Sequence, residues 1–131
     1  LFGFQLRMAC PHGCAPPAEL LAWARENGGD IILTEDVTEA VDQVQTVVTD
    51  VWVSMGHEGS NQQQDLAAYQ VNEDVMKQAA RDAIFMHCLP AKRGLEVSAA
   101  VIDGPQSAVF DEAENRLHAQ KAILAWCFAG K

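Results

Sequence analysis

A chain of 131 residues with 49% hydrophobic and 21% charged residues suits one globular domain with its own core, and excludes a disordered tail. Eighteen acidic residues against nine basic ones leave a net charge of −9, which repels phosphate backbones and anionic membranes, so nucleic acid is not an expected partner. No apolar run approaches the roughly 18 to 20 residues that span a bilayer, no secretory pattern opens the chain, and four unevenly spaced cysteines read as reduced thiols, so a cytoplasmic location is expected.

Leu1-Phe2-Gly3 reads as the tail of a helix with its glycine terminator, so further sequence is expected upstream. Phe4 to Cys10 alternates loosely and stops at Pro11-His12-Gly13, as a strand entering a turn does. Pro16-Pro17 opens a helix over about 17–27 with Leu20, Leu21, Trp23 and Ala24 on its apolar face, and Asn27-Gly28-Gly29 supplies left-handed conformers to end it. Ile31-Ile32-Leu33 is a short buried strand. Asp36 and Glu39 have capping-box spacing for a helix to about Gln43, and Val47 to Trp52 returns to a β-rich run.

Past Ser54-Met55-Gly56, the polar segment His57 to Asp65 reads as a loop entering a helix near Leu66 to Tyr69. Asn72 can cap a helix carrying Val75, Met76, Ala79 and Ala80, and Ala83 to Cys88 is an apolar strand cut off at Leu89-Pro90. Gln106 to Phe110 is a weaker last strand. A closing helix is expected from about Glu114, with Leu117, Ile123, Leu124, Trp126 and Phe128 giving an apolar surface that calls for a partner. The alternation implies an α/β doubly wound parallel sheet with helices on both faces, Rossmann-like and truncated at its N-terminus, whose ligands sit beyond the carboxyl ends of the strands.

Three clusters fall at such ends: Asp50 to Gly56, His87 to Pro90 and Glu112 to Arg116. Asp50 is an anionic acceptor for an ammonium group, while Ser54 and the turn amides at Met55 suit a carboxylate; together they suit an amino acid. Taken singly, Asp50 and Ser54 are an ordinary turn acid and capping hydroxyl, and Cys88 a small buried hydrophobe. Adjacent strand residues point to opposite faces, so His87 is a poor base for Cys88 and a cysteine-hydrolase reading weakens. Arg116, placed near the start of the last helix, opposes the helix dipole unless an anion binds there, and Asp111, Glu112 and Glu114 complement it. Cys10, His12 and Cys14 lack an evident fourth ligand, so no metal is expected. Without a dinucleotide or nucleoside-triphosphate fingerprint, no cofactor is expected either.

In order and wording, Thr49-Asp50-Val51-Trp52-Val53-Ser54-Met55-Gly56, His87-Cys88-Leu89-Pro90 and Phe110-Asp111-Glu112-Ala113-Glu114-Asn115-Arg116 resemble the aspartate/ornithine transcarbamylase family, and its ornithine carbamoyltransferase branch in particular. The resemblance runs along nearly the whole chain, and implies a single, partial ornithine-binding domain over 1–131. His57 and Lys92 depart from the family's usual Gln or Glu and His. The family's Ser-x-Arg-Thr-Arg and His-Pro-x-Gln segments, which belong to the carbamoyl-phosphate domain, are not in these residues.

The resemblance implies that Asp50 holds the α-ammonium of ornithine, that Ser54 and the Met55 amide hold its α-carboxylate, and that Cys88 sits by the δ-amine. Leu89, through its carbonyl, and Arg116 would position carbamoyl phosphate, with the Leu89-Pro90 bond cis. The implied reaction yields citrulline and phosphate without a cofactor, in arginine biosynthesis, with Cys88 as thiolate one plausible proton acceptor. The chain alone is expected to be inactive and to form a homo-oligomer. Alternatives are a sister transcarbamylase using putrescine or an acylated ornithine, and a non-catalytic amino-acid-binding or assembly module.

Overall fold

Four runs, three of them carrying β-branched or aromatic residues, become strands in the computed structural model, which describes residues 3–52 and 66–129. They are β1 (Gln5–Ala9), β2 (Asp30–Thr34), β3 (Thr46–Thr49) and β4 (Ile84–His87), alternating with helices α1 (Ala18–Glu26), α2 (Val37–Val41), α3 (Glu73–Gln78), α4 (Ala99–Ile102) and α5 (Val109–Ala129). All the strand pairing is parallel, as crossover helices require. Among the described residues, the strands form two separate pairs, β1 with β2 and β3 with β4. The parallel α/β class is as expected from the sequence.

Local chemistry sets most boundaries. Pro17 precedes α1, and the helix ends where Gly28 adopts φ +82°, with the Gly28 and Gly29 amides donating to the Arg25 and Ala24 carbonyls. A side chain at Gly29 would meet the Ala24 carbonyl oxygen at 2.8 Å, so this turn needs its second glycine too. Asp36 caps α2 by accepting from the Thr38 and Glu39 amides, but the capping box is only half made. Glu39 accepts from the Thr34 hydroxyl at 2.6 Å instead, and the Asp36 amide donates to that same hydroxyl oxygen. Asn72 caps α3 through the Asp74 and Val75 amides, and Ser98 caps α4, a helix the sequence reading missed.

The core lies mostly in the second half of the chain. Val47, Val71, Val75, Met76, Phe85, Val97, Val101, Ile102 and Val109 cluster together, with Val41 of α2 joining them. The first half contributes much less: α1 buries no residue, and Leu20 and Trp23 on its apolar face are more than half exposed. β2 is only partly covered, rather than buried as its Ile-Ile-Leu run predicts.

Two expectations near the C-terminus need correction. Residues 106–110 do not form a strand; they make a single parallel bridge, with the Phe85 amide donating to the Gln106 carbonyl and the Ala108 amide to the Phe85 carbonyl, both at 2.8 Å. Burial of Val109 then turns the chain into α5, which starts at Val109 and not near Glu114. Arg116 therefore lies two turns inside the helix, beyond the reach of the N-terminal dipole, and only Asp111 and Glu112 are first-turn acids. The 21 residues of α5 extend about 30 Å. Leu117, Ile123, Leu124, Trp126 and Phe128 along it are all exposed. No helix among the described residues is long and apolar enough to cross a membrane.

Phe85, fully buried at the centre of β4, and Phe110, 73% exposed, offer a test of where stability resides. In urea unfolding, Phe85→Ala is expected to cost about 3–5 kcal/mol and Phe110→Ala under about 1 kcal/mol. Similar losses from the two would disprove this core. Asn72→Ala is expected to cost about 1 kcal/mol through its lost cap.

Candidate functional site

The register of β3 on β4 pairs Thr49 with His87, so the next residues, Asp50 and Cys88, leave the two strands side by side. The Cys88 thiol donates to Asp50 Oδ1 at 3.1 Å, and the same oxygen accepts from the Val51 amide at 2.6 Å. Two residues 38 positions apart thus meet at the carboxyl rim of a parallel pair, where α/β folds hold ligands. Both are exposed.

The thiol's acidity follows from this contact. Donation to Asp50 raises the Cys88 pKa above its ordinary 9.0, with partial burial and the negative charges of Asp50 and Glu112 adding to the effect. At neutral pH, Cys88 is therefore a protonated thiol donor. A thiolate there would face the Asp50 carboxylate, so the proton-acceptor role is not its resting state.

Cys88, Leu89 and Pro90 form one wall of an open hollow whose other wall is α5, with Ala113, Arg116 and Leu117. The structure thus brings Cys88, Leu89 and Arg116 to one concavity and sets Asp50 against Cys88. Ser54 and Met55 lie outside the described residues, as does the loop reading for His57 to Asp65. The Leu89-Pro90 bond is cis, and Leu89 itself has φ +54°. A left-handed leucine is uncommon and persists only where its surroundings hold it.

Those surroundings include two groups whose part the sequence reading missed. His87 is completely buried beside an equally buried Glu96, yet a ring nitrogen lies within 4.8 Å of the Cys88 sulfur, closer than strict strand alternation predicts. His87 Nδ1 accepts from the Leu89 amide at 2.9 Å. That bond requires Nδ1 to be unprotonated and leaves the ring proton for Nε2, which lies 3.4 Å from Glu96 Oε1. The imidazole is then neutral, and the contact with Glu96 is a polar approach rather than a full ion pair. Farther along, Arg93 clasps Asp103 with two nitrogens at 2.9 and 2.7 Å. Gln70 donates to the Gly94 and Leu95 carbonyls.

Metal binding gains little from this arrangement. Among the described residues, Asp50, His87 and Cys88 bring ligand atoms within 4.8 Å of one another. His87 is already committed through Nδ1 to the Leu89 amide, leaving a carboxylate and a thiol, fewer than a tetrahedral site needs. Cys10, His12 and Cys14 do not converge in this way.

The raised Cys88 pKa makes a pH-dependent prediction. Because the thiolate is the nucleophile, iodoacetamide alkylation of Cys88 should rise with pH through a midpoint above that of an unperturbed thiol. Asp50→Asn removes the charge and the strongest acceptor, so it should lower that midpoint and speed labelling at pH 8. Peptide-resolved mass spectrometry reads each thiol separately; a midpoint unmoved by the substitution would contradict the contact.

Comparison with known proteins identifies the family. The family model described as "Aspartate/ornithine carbamoyltransferase, Asp/Orn binding domain" matches residues 1–127. An ornithine carbamoyltransferase of Agrobacterium fabrum is 56% identical over 127 residues, covering 96% of this chain and 42% of that relative. One from Rhizorhabdus wittichii is 57% identical over 130 residues, covering 97% of this chain and 41% of its own length. The solved ornithine carbamoyltransferase of Pyrococcus furiosus superposes with a TM-score of 0.85 at 46% identity, over 94% of this chain and 41% of that one. The chain thus spans about two fifths of the length of the relatives it matches. Shared sequence and shared backbone over nearly all its residues lead to one conclusion: this chain belongs to the aspartate/ornithine carbamoyltransferase family.

Proposed function

We propose that the chain is the ornithine-binding domain of an ornithine carbamoyltransferase, supplying one side of a carbamoyl transfer to the δ-amine. The observation that carries this reading is the 3.1 Å approach of Cys88 to Asp50 at the strand rim, beside the hollow bordered by Leu89 and Arg116. An exposed carboxylate with a thiol at its side matches a ligand bearing two amino groups. Asp50 accepts from the α-ammonium, Ser54 and the Met55 amide receive the α-carboxylate, and the δ-amine lies against Cys88.

In the transfer, the neutral δ-amine attacks the carbonyl carbon of carbamoyl phosphate. The new C–N bond forms, the C–O bond to phosphate breaks, and the amine's proton leaves with the phosphate or through solvent, giving citrulline and inorganic phosphate. Leu89 fixes the carbamoyl group through its carbonyl oxygen. Arg116 stabilises charge on the tetrahedral intermediate and on the departing phosphate, the kind of electrostatic help that is usually largest in acyl transfer. Cys88, held as a thiol, orients the amine rather than removing its proton.

The carbamoyl-phosphate domain is not represented in these 131 residues, so the chain by itself is expected to bind ornithine without turning it over. The exposed apolar residues of α5 support association with further copies. They also support the second reading, a non-catalytic amino-acid-binding or assembly module, because they need cover whether or not chemistry follows. A sister transcarbamylase specific for putrescine or an acylated ornithine fits less well, since neither offers a free α-ammonium together with an α-carboxylate.

Titration calorimetry separates these possibilities. Ornithine should bind this chain, putrescine and N-acetylornithine should bind at least tenfold more weakly, and Asp50→Ala should weaken ornithine by tenfold or more, about 1.4 kcal/mol. Ornithine binding unchanged by Asp50→Ala would defeat the assignment. Light scattering should return a mass above that of the monomer, and a monodisperse monomer would remove the association.

A further inference from the structure

His87 and Glu96 are both wholly buried, and the reaction described above uses neither. Burying an imidazole and a carboxylate among apolar side chains is unfavourable unless their polar atoms are engaged. His87 Nε2 and Glu96 Oε2 make no hydrogen bond, and the engagement of the other two polar atoms falls on one short stretch of backbone. His87 Nδ1 accepts the Leu89 amide, Glu96 Oε1 accepts the Lys92 amide, and the two side chains approach each other at 3.4 Å. The bonded amides bracket Leu89 to Lys92, the segment that leaves Cys88 and whose Leu89 and Pro90 border the hollow. Glu96 is in turn anchored from behind. Its carbonyl accepts from the Val71 amide at 2.9 Å, the Ser98 amide donates to the Val71 carbonyl at 2.9 Å, and Val97 between them is fully buried.

We propose that His87 and Glu96 are positioning residues, a buried clamp that sets the backbone of residues 88–92 so that the Cys88 thiol and the Leu89 carbonyl meet substrate in one geometry. The proposal rests on the functional reading above for what the loop presents; the clamp itself does not depend on it. Leu89 at φ +54° occupies a conformation that side-chain-bearing residues disfavour, so its neighbours must over-determine it, and the acceptor at its own amide is the nearest such constraint. A pair that merely filled space would be indifferent to which side of the ring carries the acceptor. The clamp is not: the atom facing Leu89 must accept.

Side-chain amides separate the two cases, because asparagine places its oxygen about where Nδ1 sits, whereas glutamine reaches towards the Nε2 position. In the full 131-residue chain, His87→Gln and Glu96→Ala are expected to raise iodoacetamide labelling of Cys88 at pH 8 at least fivefold. Labelling of Cys10, Cys14 and Cys127 should be unchanged, and His87→Asn and Glu96→Gln should stay within twofold of the parent. Equal Cys88 rates for His87→Gln and His87→Asn would overturn the proposal. Should the variants fail to fold by circular dichroism, amide exchange in the unsubstituted chain decides: Leu89 and Lys92 amides slowed at least a hundredfold support the clamp, and exchange at the rate of open loop overturns it. If the parent binds ornithine, His87→Gln should weaken it fivefold or more and His87→Asn should not. A parent that binds no ornithine refutes the functional reading and leaves labelling and exchange to judge the clamp.

Discussion

Parallel hydrogen bonding between β3 and β4, in the register that sets Thr49 beside His87, is the constraint from which the candidate site grows. It makes Asp50 and Cys88 neighbours and buries His87 beneath them in the core. A slip of one residue in β4 would exchange the faces of its residues and pull His87 out of the core. Phe85 protects that register from the middle of β4. Its side chain is fully buried, and its amide and carbonyl hold the segment before α5, so core packing and site alignment share one residue.

Around this pair, the molecule divides into a well-packed part and an open part. Residues from α2 through the start of α5 enclose the apolar cluster, with caps from Asn72 and Ser98 ending the short helices cleanly. The β1–α1–β2 unit and the length of α5 leave much of their apolar surface uncovered. Relatives that are more than twice as long have additional chain with which such surfaces could pack. The site lies at the boundary of the two parts, with strand ends from the packed core on one side and α5 on the other.

The polar interior follows the same economy. His87, Glu96 and the amides of Leu89 and Lys92 form one connected set, so a loop in an unfavourable backbone conformation is tied to the most rigid part of the chain. On the solvent side, the chemistry is simpler: a carboxylate keeps a thiol protonated, and an arginine one helix away supplies positive charge in a chain with a large acidic excess.

Much of this was legible without coordinates, because the signals were local. Prolines 16 and 17, the glycines after Asn27 and the capping residues Asp36 and Asn72 act within a few positions, so α1, α2 and α3 could be outlined from spacing alone. The three motif strings likewise carried the family. Contacts across the chain decided the rest. Residues 106–110 have strand-like composition, yet burial of Val109 and a single bridge to Phe85 turn them into a helix start, which also moves Arg116 away from the helix terminus. The Asp50–Cys88 hydrogen bond and the His87–Glu96 pair join residues that no local pattern links. They exist only because parallel pairing and a shared core bring distant segments together, and this non-local free energy is what a sequence read along its length does not display.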